Sequence, residues 1–305
     1  MSVAGGAVDL LTDNGTLVIY LFHGVVERSD YEVRNYTRKH LPVGEFRTVV
    51  EALARRGEPL SIDQVASIAA SGQEFPRAAF AVTFDDGFEN NLTVARPVLD
   101  VLGVPAAIYA TSRFIDQNGM SWIDRIELAL ERSSRGTLHL PWVREPVSFG
   151  GRESKISVLN DIRRHVKSDR RLDGDVLASD IFRQLGQDDV RSSDDPLDRK
   201  LTWRQLREWL APGFIIGGHS HTHAILSFLS PEKLAWELDT SLALLRERCG
   251  ITASHYSYPE GLAHCYSPEV IAALKRRGIV CCPTAIDGIN LPGVDPFHLR
   301  RVMVS

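Results

Sequence analysis

The sequence predicts an α/β fold organised around a parallel sheet. Short apolar runs rich in β-branched residues alternate with longer segments of helical periodicity, and the most polar clusters follow directly on the apolar runs. Residues 16–22 (TLVIYLF) form the first such run, a buried strand. Residues 46–56 then place Phe46, Val49, Val50 and Leu53 on one helical face. A second helix opens at Ser61, where Ser61-Ile62-Asp63-Gln64 has the outline of a capping box, and closes at Gly72. Residues 78–84 read as a strand, 92–102 as a helix and 104–110 as a strand. The rhythm resumes with a strand at 214–217, a long helix over residues 231–249 behind a Ser-Pro cap, and a strand at 254–258. A helix at 268–277 and a short strand at 279–282 follow.

Between these halves the pattern changes. Residues 119–200 are more charged, with Arg163-Arg164, Asp169-Arg170-Arg171 and Asp194-Asp195. Within them, 137–149 alternate like a hairpin around Pro141 and Pro146, while 160–166 and 176–185 have helical periodicity. We read 119–200 as a mainly helical insertion, a cap or side subdomain; two further β/α units are the alternative.

Composition narrows the function. The chain has 305 residues, 44% apolar and 24% charged, ample for a large core and unlike a disordered or collagen-like chain. Its 35 Lys and Arg against 39 Asp and Glu give a formal charge of −4, which argues against nucleic acid as the main partner. The longest apolar stretch, residues 17–26, is interrupted by His23 and is shorter than the roughly 20 residues that span a bilayer. With no signal-like start either, the expectation is a cytoplasmic protein without a membrane span. Cys249, Cys265, Cys281 and Cys282 form no C-x-x-C pair and read as reduced thiols.

Two clusters carry chemistry. Thr83-Phe84-Asp85-Asp86-Gly87 ends a buried strand, where adjacent carboxylates are costly unless they bind a cation or share protons. Gly87 permits a turn that lets both acids face one pocket. His219-Ser220-His221-Thr222-His223 follows a second strand. A spacing of four would set His219 and His223 on one side of a helical turn. Two imidazoles with one carboxylate suit a divalent transition metal and leave coordination sites open. The Asp-Asp and histidine clusters would share one site although far apart in sequence, so one domain spanning 1–305 is expected, with the insertion inside it.

These motifs resemble those of the polysaccharide deacetylase family, carbohydrate esterase family 4 with the NodB-homology domain, whose fold is a distorted (β/α) barrel. TFDDG at 83–87 and HSHTH at 219–223 match the family's T-F-D-D-G and H-S/T-x-x-H motifs. Ser257-Tyr258-Pro259-Glu260-Gly261 matches the third motif without its arginine, as in a subset of relatives. The resemblance implies that Asp86, His219 and His223 bind one divalent metal, most simply zinc, with nickel, cobalt, iron or manganese as alternatives. It also implies that Asp85 is the general base and that the backbone N–H of Tyr258 holds the oxyanion. His221 is not carried over. Some relatives are circularly permuted, with the L-x-H motif on the first strand, and Leu21-Phe22-His23 resembles that arrangement, making His23 the expected general acid; His298 is a weaker contender. Arg301, in a C-terminal run similar to the permuted relatives' L-P-R-I segment, is the candidate substitute for the missing arginine.

Family likeness implies an acetylated (N-acylated) amino sugar of a polysaccharide or its biosynthetic intermediate as substrate. Trp122, Trp142, Trp203, Trp209 and Trp236 are either sugar platforms or packing residues. Two other classes remain: a metal-dependent amidohydrolase of a small non-sugar amide or cyclic ureide, and a glycan-binding domain with a decayed site.

Overall fold

The computed structural model describes residue 6, residues 9–27 and residues 30–305. Strands β1 (Leu17–Phe22) and β2 (Gly24–Val26) lead to β3 (His40–Pro42), helix α1 (Val43–Arg56), β4 (Glu58–Pro59) and α2 (Ile62–Ser71). Strand β5 (Ala79–Asp86), a π-helical turn at Asn91–Ala95, α3 (Arg96–Leu102) and β6 (Ala106–Ala110) follow. Next come α4 (Ser112–Gln117), α5 (Trp122–Glu131), strands β7 (Arg135–Leu138) and β8 (Val147–Gly150), α6 (Arg152–Ser168) and α7 (Gly174–Gln184). The chain ends with α8 (Trp203–Trp209), β9 (Phe214–Gly218), α9 (Pro231–Cys249), α10 (Pro268–Lys275) and β10 (Val302–Met303).

Local signals account for several of these elements. Phe46, Val49, Val50 and Leu53 are the buried stripe of α1. Ser61 and Gln64 make the reciprocal capping box of α2, and Gly72 ends that helix with φ 70°, a left-handed conformation glycine adopts freely. The helix expected at 92–102 starts one residue early and as a π turn. Asn91, fully buried in that turn, donates from Nδ2 to the carbonyl of His23 at 2.7 Å. Thus the π turn is tied to the end of β1.

The central strands lie in the order β10-β1-β5-β6-β9, all parallel. Beyond β9 the expected strands at 254–258 and 279–282 form only single parallel bridges, Gly218 to Tyr256 and His255 to Cys281. Backbone bonds from Cys282 to Pro296 and from Thr284 to Leu299 carry the wall on toward β10, which closes it against β1. The result is a distorted barrel, irregular where these short segments replace full strands. Alternation along β5 sends Phe80, Val82 and Phe84 outward to pack with α1 and α3, while Ala79 and Ala81 face the interior with Ile19, Ala107 and Tyr109.

Register decides what meets at the strands' C-terminal ends. Phe22 pairs with Phe84, Asp86 with Ala110, and Ala110 with Gly218. His23, Asp85, Asp86 and His219 therefore emerge at one rim, where β/α barrels assemble their sites. Residues 120–182 build their own apolar cluster around Ile126, Leu130, Leu159, Ile162 and Phe182. The hairpin expected within 137–149 is present as β7 and β8, and the helix expected at 160–166 runs longer, as α6. No helix among the described residues is long and apolar enough to cross a membrane.

Candidate active site

Three of the expected residues converge. One donor atom each from Asp86, His219 and His223 lies within 4.8 Å of the others. Asp86 Oδ1 is 3.3 Å from His223 Nε2 and 3.8 Å from His219 Nε2. His219 Nδ1 is 2.9 Å from the Ser257 carbonyl, which sets that nitrogen as the proton carrier and leaves Nε2 with its lone pair toward the carboxylate. The histidines do not sit on a helical turn, as the spacing of four suggested. The segment after β9 is a loop with left-handed residues at Ser220 (φ 59°) and His223 (φ 63°), and these reversals bring the rings to 5.0 Å between centroids. Asp86 is also left-handed, φ 73°, followed by Gly87 at φ 82°. This double turn swings the Asp86 carboxylate back over the rim.

The loop is pinned from outside. The Glu237 carboxylate on α9 accepts from the backbone N–H groups of His221 and Thr222 at 2.7 and 2.9 Å, and from the Thr222 hydroxyl. His221 Nδ1 is 2.9 Å from Ser112 Oγ, so this ring faces away from the two convergent histidines.

Asp85 occupies a different environment. Both of its oxygens accept from Arg301, at 2.8 Å (Nη1) and 2.7 Å (Nη2), and Arg301 also donates to Ser257 Oγ at 2.8 Å and to the Thr284 carbonyl at 2.6 Å. Both side chains are buried. Burial would raise the carboxyl pKa, but the guanidinium outweighs it and holds Asp85 below the ordinary range.

His23 lines the same cavity, of about 220 Å³, with Asp85, Asp86, His219, His223 and Trp122. Burial pushes its pKa down to about 4 against the pull of the Asp86 carboxylate. The backbone N–H of Tyr258 has the Pro283 carbonyl as a distant partner at 3.5 Å, and its buried phenol donates to the Phe297 carbonyl at 3.2 Å. His298 is exposed and sits 3.1 Å from the Tyr266 hydroxyl, lining a different cavity. Among the tryptophans, Trp209 is core, whereas Trp122 faces the site.

Several polar residues here carried no sequence signal. Lys39 reaches in from the β2–β3 connection and pairs with Asp86 Oδ2 at 3.1 Å and Asp124 Oδ2 at 3.2 Å. Its approach is fixed by α5: Glu131 accepts backbone N–H bonds from Glu32, Val33 and Arg34, and Glu127 accepts one from Asn35. Glu260, at φ 61°, lines the cavity and pairs with Lys167 at 2.5 Å. Only Glu260 falls inside a motif; Lys39 precedes a short strand, and the others lie on helices α5 and α6, whose periodicity marks packing faces rather than what their polar residues meet.

The residues present fit a divalent cation. Asp86 Oδ1 is buried without a hydrogen-bond partner among the described residues, and two imidazole nitrogens lie 3.3 and 3.8 Å from it. A buried carboxylate oxygen so placed is costly unless a cation compensates it.

A family model for polysaccharide deacetylases matches residues 72–281. No curated protein matches the chain. Among solved structures, IcaB from Ammonifex degensii superposes with a TM-score of 0.60 at 19% identity, covering 95% of this chain and 92% of that one. The Streptococcus pyogenes deacetylase PplD in complex with acetate gives 0.59 at 14% identity, over 95% and 92% of the two chains. The BpsB deacetylase domain from Bordetella bronchiseptica gives 0.56 at 17% identity, over 96% and 97%. At these identities the likeness shows a shared fold, and together with the family match over most of the chain it leads to one conclusion: this chain belongs to the polysaccharide deacetylase family, hydrolases that act on amide bonds.

Proposed function

We propose that the chain is a divalent-metal-dependent hydrolase that removes an N-acetyl (or other N-acyl) group from an amino sugar of a polysaccharide or its biosynthetic intermediate. The observation that carries this is the convergence of Asp86, His219 and His223 around a buried, unpartnered Asp86 oxygen, beside an Asp85 clamped by Arg301. Those three residues would hold the cation; the donor set suits zinc, with nickel, cobalt, iron and manganese as alternatives. When bound, the cation supplies Lewis acidity toward water and an amide carbonyl.

The chain's own groups do the rest. Asp85, kept ionised by Arg301, takes a proton from the attacking water. The Tyr258 N–H, held only by a long bond to Pro283, turns to the oxygen that becomes negative. His23 is unprotonated at neutral pH, so it first collects the proton that Asp85 removed and then passes it to the departing sugar nitrogen. The amide C–N bond breaks, leaving acetate and the free amine. Trp122 offers a ring to the sugar beside the reacting groups. In this reading residues 1–305 are one barrel domain, and the insertion at 119–200 is its cap, contributing Trp122, Arg163 and Lys167 to the cavity.

Metal analysis of the purified chain, followed by acetate release from a panel of acetylated amino sugars and a cyclic ureide, tests the proposal. One metal per chain and chelator-sensitive acetate release from the sugars are expected. Undiminished release from metal-free protein, or hydrolysis confined to the ureide, would overturn it.

A further inference from the structure

The catalytic cavity does not end at the metal-binding residues. A second, larger cavity of about 490 Å³ lies beside it, and Trp122, Lys167, His223 and Glu260 line both. A substrate whose scissile group lies at His223 must therefore extend into this groove or leave it to solvent.

The groove's charge runs against that of the chain. Five cations line it, Arg113, Lys167, Arg170, Arg171 and Lys233, in a protein of formal charge −4. Two of them are neutralised locally, Lys167 by Glu260 at 2.5 Å and Arg171 by Asp169 at 2.6 Å. Of the carboxylates on the groove wall, Asp175 pairs with Arg125 at 2.8 Å, while Asp173 keeps its charge and caps α7 through the N–H groups of Asp175 and Val176, so five cations there face three carboxylates. Among the described residues, Arg113, Arg170 and Lys233 have no carboxylate partner. They come from three separate elements, the first turn of α4, the turn after α6 and the first turn of α9. Three cations without a carboxylate partner, brought from unrelated segments to line one groove, give it an excess of positive charge that favours an anion, and guanidinium forks suit phosphate or carboxylate oxygens.

We infer that the substrate is an anionic saccharide, with an acetamido sugar at the metal-binding residues and a phosphate or carboxylate on the adjoining sugar held by Arg113, Arg170 and Lys233. The inference rests on the reading of the site as a sugar N-deacetylase and adds the chemical class of what that site accepts. It also gives the insertion a task, since Arg170 is delivered by the turn that follows α6.

Three matched N-acetylhexosamine disaccharides test it: one neutral, one phosphorylated on the second sugar and one with a uronic acid there. Their binding to the metal-loaded full chain is measured by calorimetry and their turnover by acetate release. Wild type should bind at least one charged disaccharide about tenfold more tightly than the neutral one. The larger gain identifies phosphate or carboxylate as the group recognised. The gain should fade with added salt and vanish in the triple variant Arg113→Gln, Arg170→Gln, Lys233→Gln, whose affinity for the neutral disaccharide stays within about twofold of wild type. Equal affinity for all three ligands, or a preference that survives in the triple variant, overturns the inference. Acetate release with the same KM from charged and neutral disaccharides overturns it too, while leaving the deacetylase reading intact. Charge-selective binding that depends on the three cations, with no acetate release from any ligand, keeps the groove and removes the deacetylase reading.

Discussion

Arg301 and Asp85 stand 216 residues apart in sequence and meet as a buried, bidentate ion pair. The guanidinium enters from the last described strand region and spans the barrel interior, with the Tyr109 ring 5.9 Å from it. Removing one partner of such a pair leaves a buried charge uncompensated. Arg301→Gln is therefore expected to lower unfolding free energy by roughly 3–5 kcal/mol, with Asp85→Asn on top of it recovering part of the loss. Urea denaturation of the two variants measures this, and a single-variant loss below about 1 kcal/mol would show that the pair is not uncompensated when broken.

Asp85 and Asp86 are neighbours with different partners, and their variants should separate. Asp85→Asn is expected to abolish acetate release while keeping one metal per chain. Asp86→Ala, His219→Ala and His223→Ala should each lose the metal as well. Stoichiometric metal retained in the latter three, measured by elemental analysis, refutes the ligand assignment.

His23 faces the cavity beside Asp86, His219 and His223. His23→Ala should keep metal and fold yet slow turnover by about 10²- to 10⁴-fold, the usual contribution of a positioned proton donor. Near-normal kcat would remove it from the reaction.

Lys39 places an ammonium 3.1 Å from the outer oxygen of Asp86. Like charge beside a cation site weakens binding, so Lys39→Met should tighten divalent-metal affinity by about tenfold in a chelator competition. Asp124 loses its partner in the same variant, so lower stability accompanies the gain. Unchanged or weaker metal affinity would mean that Lys39 aligns Asp86 more than it repels the ion.

Lys200, buried over the Phe88 ring at 3.9 Å, has its pKa lowered by burial to about 8, from an ordinary 10.5. Between those values the native chain holds this amine unprotonated and the unfolded chain holds it protonated. Unfolding takes up a proton there, so Lys200 adds a rise of stability with pH across the window, opposed by buried thiols such as Cys249 and Cys265, whose raised pKa values make unfolding release protons. Stability should fall more steeply with pH, or rise less, in Lys200→Met than in wild type, as measured by urea denaturation from about pH 8 to 10; identical slopes in both proteins contradict it.

Much of the framework was legible because its signals are local. The stripe of α1, the capping box at Ser61, the glycine stop at Gly72 and the buried runs of β1 and β5 each depend on residues within a turn or two. The strands expected at 254–258 and 279–282 were legible as extended chain but not as ladders. Pairing there depends on neighbours from β9 and from 296–299, which a local pattern does not contain. The His-x-x-x-His spacing picked out two histidines that do converge, but through another geometry, since left-handed turns at Ser220 and His223 replace the helical turn.

By itself the sequence determined which residues end the strands and which chemical groups they carry: Asp85 and Asp86 after β5, His219 and His223 after β9, His23 after β1. Strand identity and turn chemistry are short-range properties, so these placements need no knowledge of the rest of the chain. Only the tertiary structure decided what faces those groups. Lys39 on Asp86 and the three groove cations that lack a carboxylate partner among the described residues arrive from segments distant in sequence, as does Arg301, which the resemblance named and the fold sets on Asp85. Their positions are set by sheet register, barrel closure and the anchoring of 32–35 on α5. Each is a long-range constraint that leaves no periodicity behind in the residues it acts on.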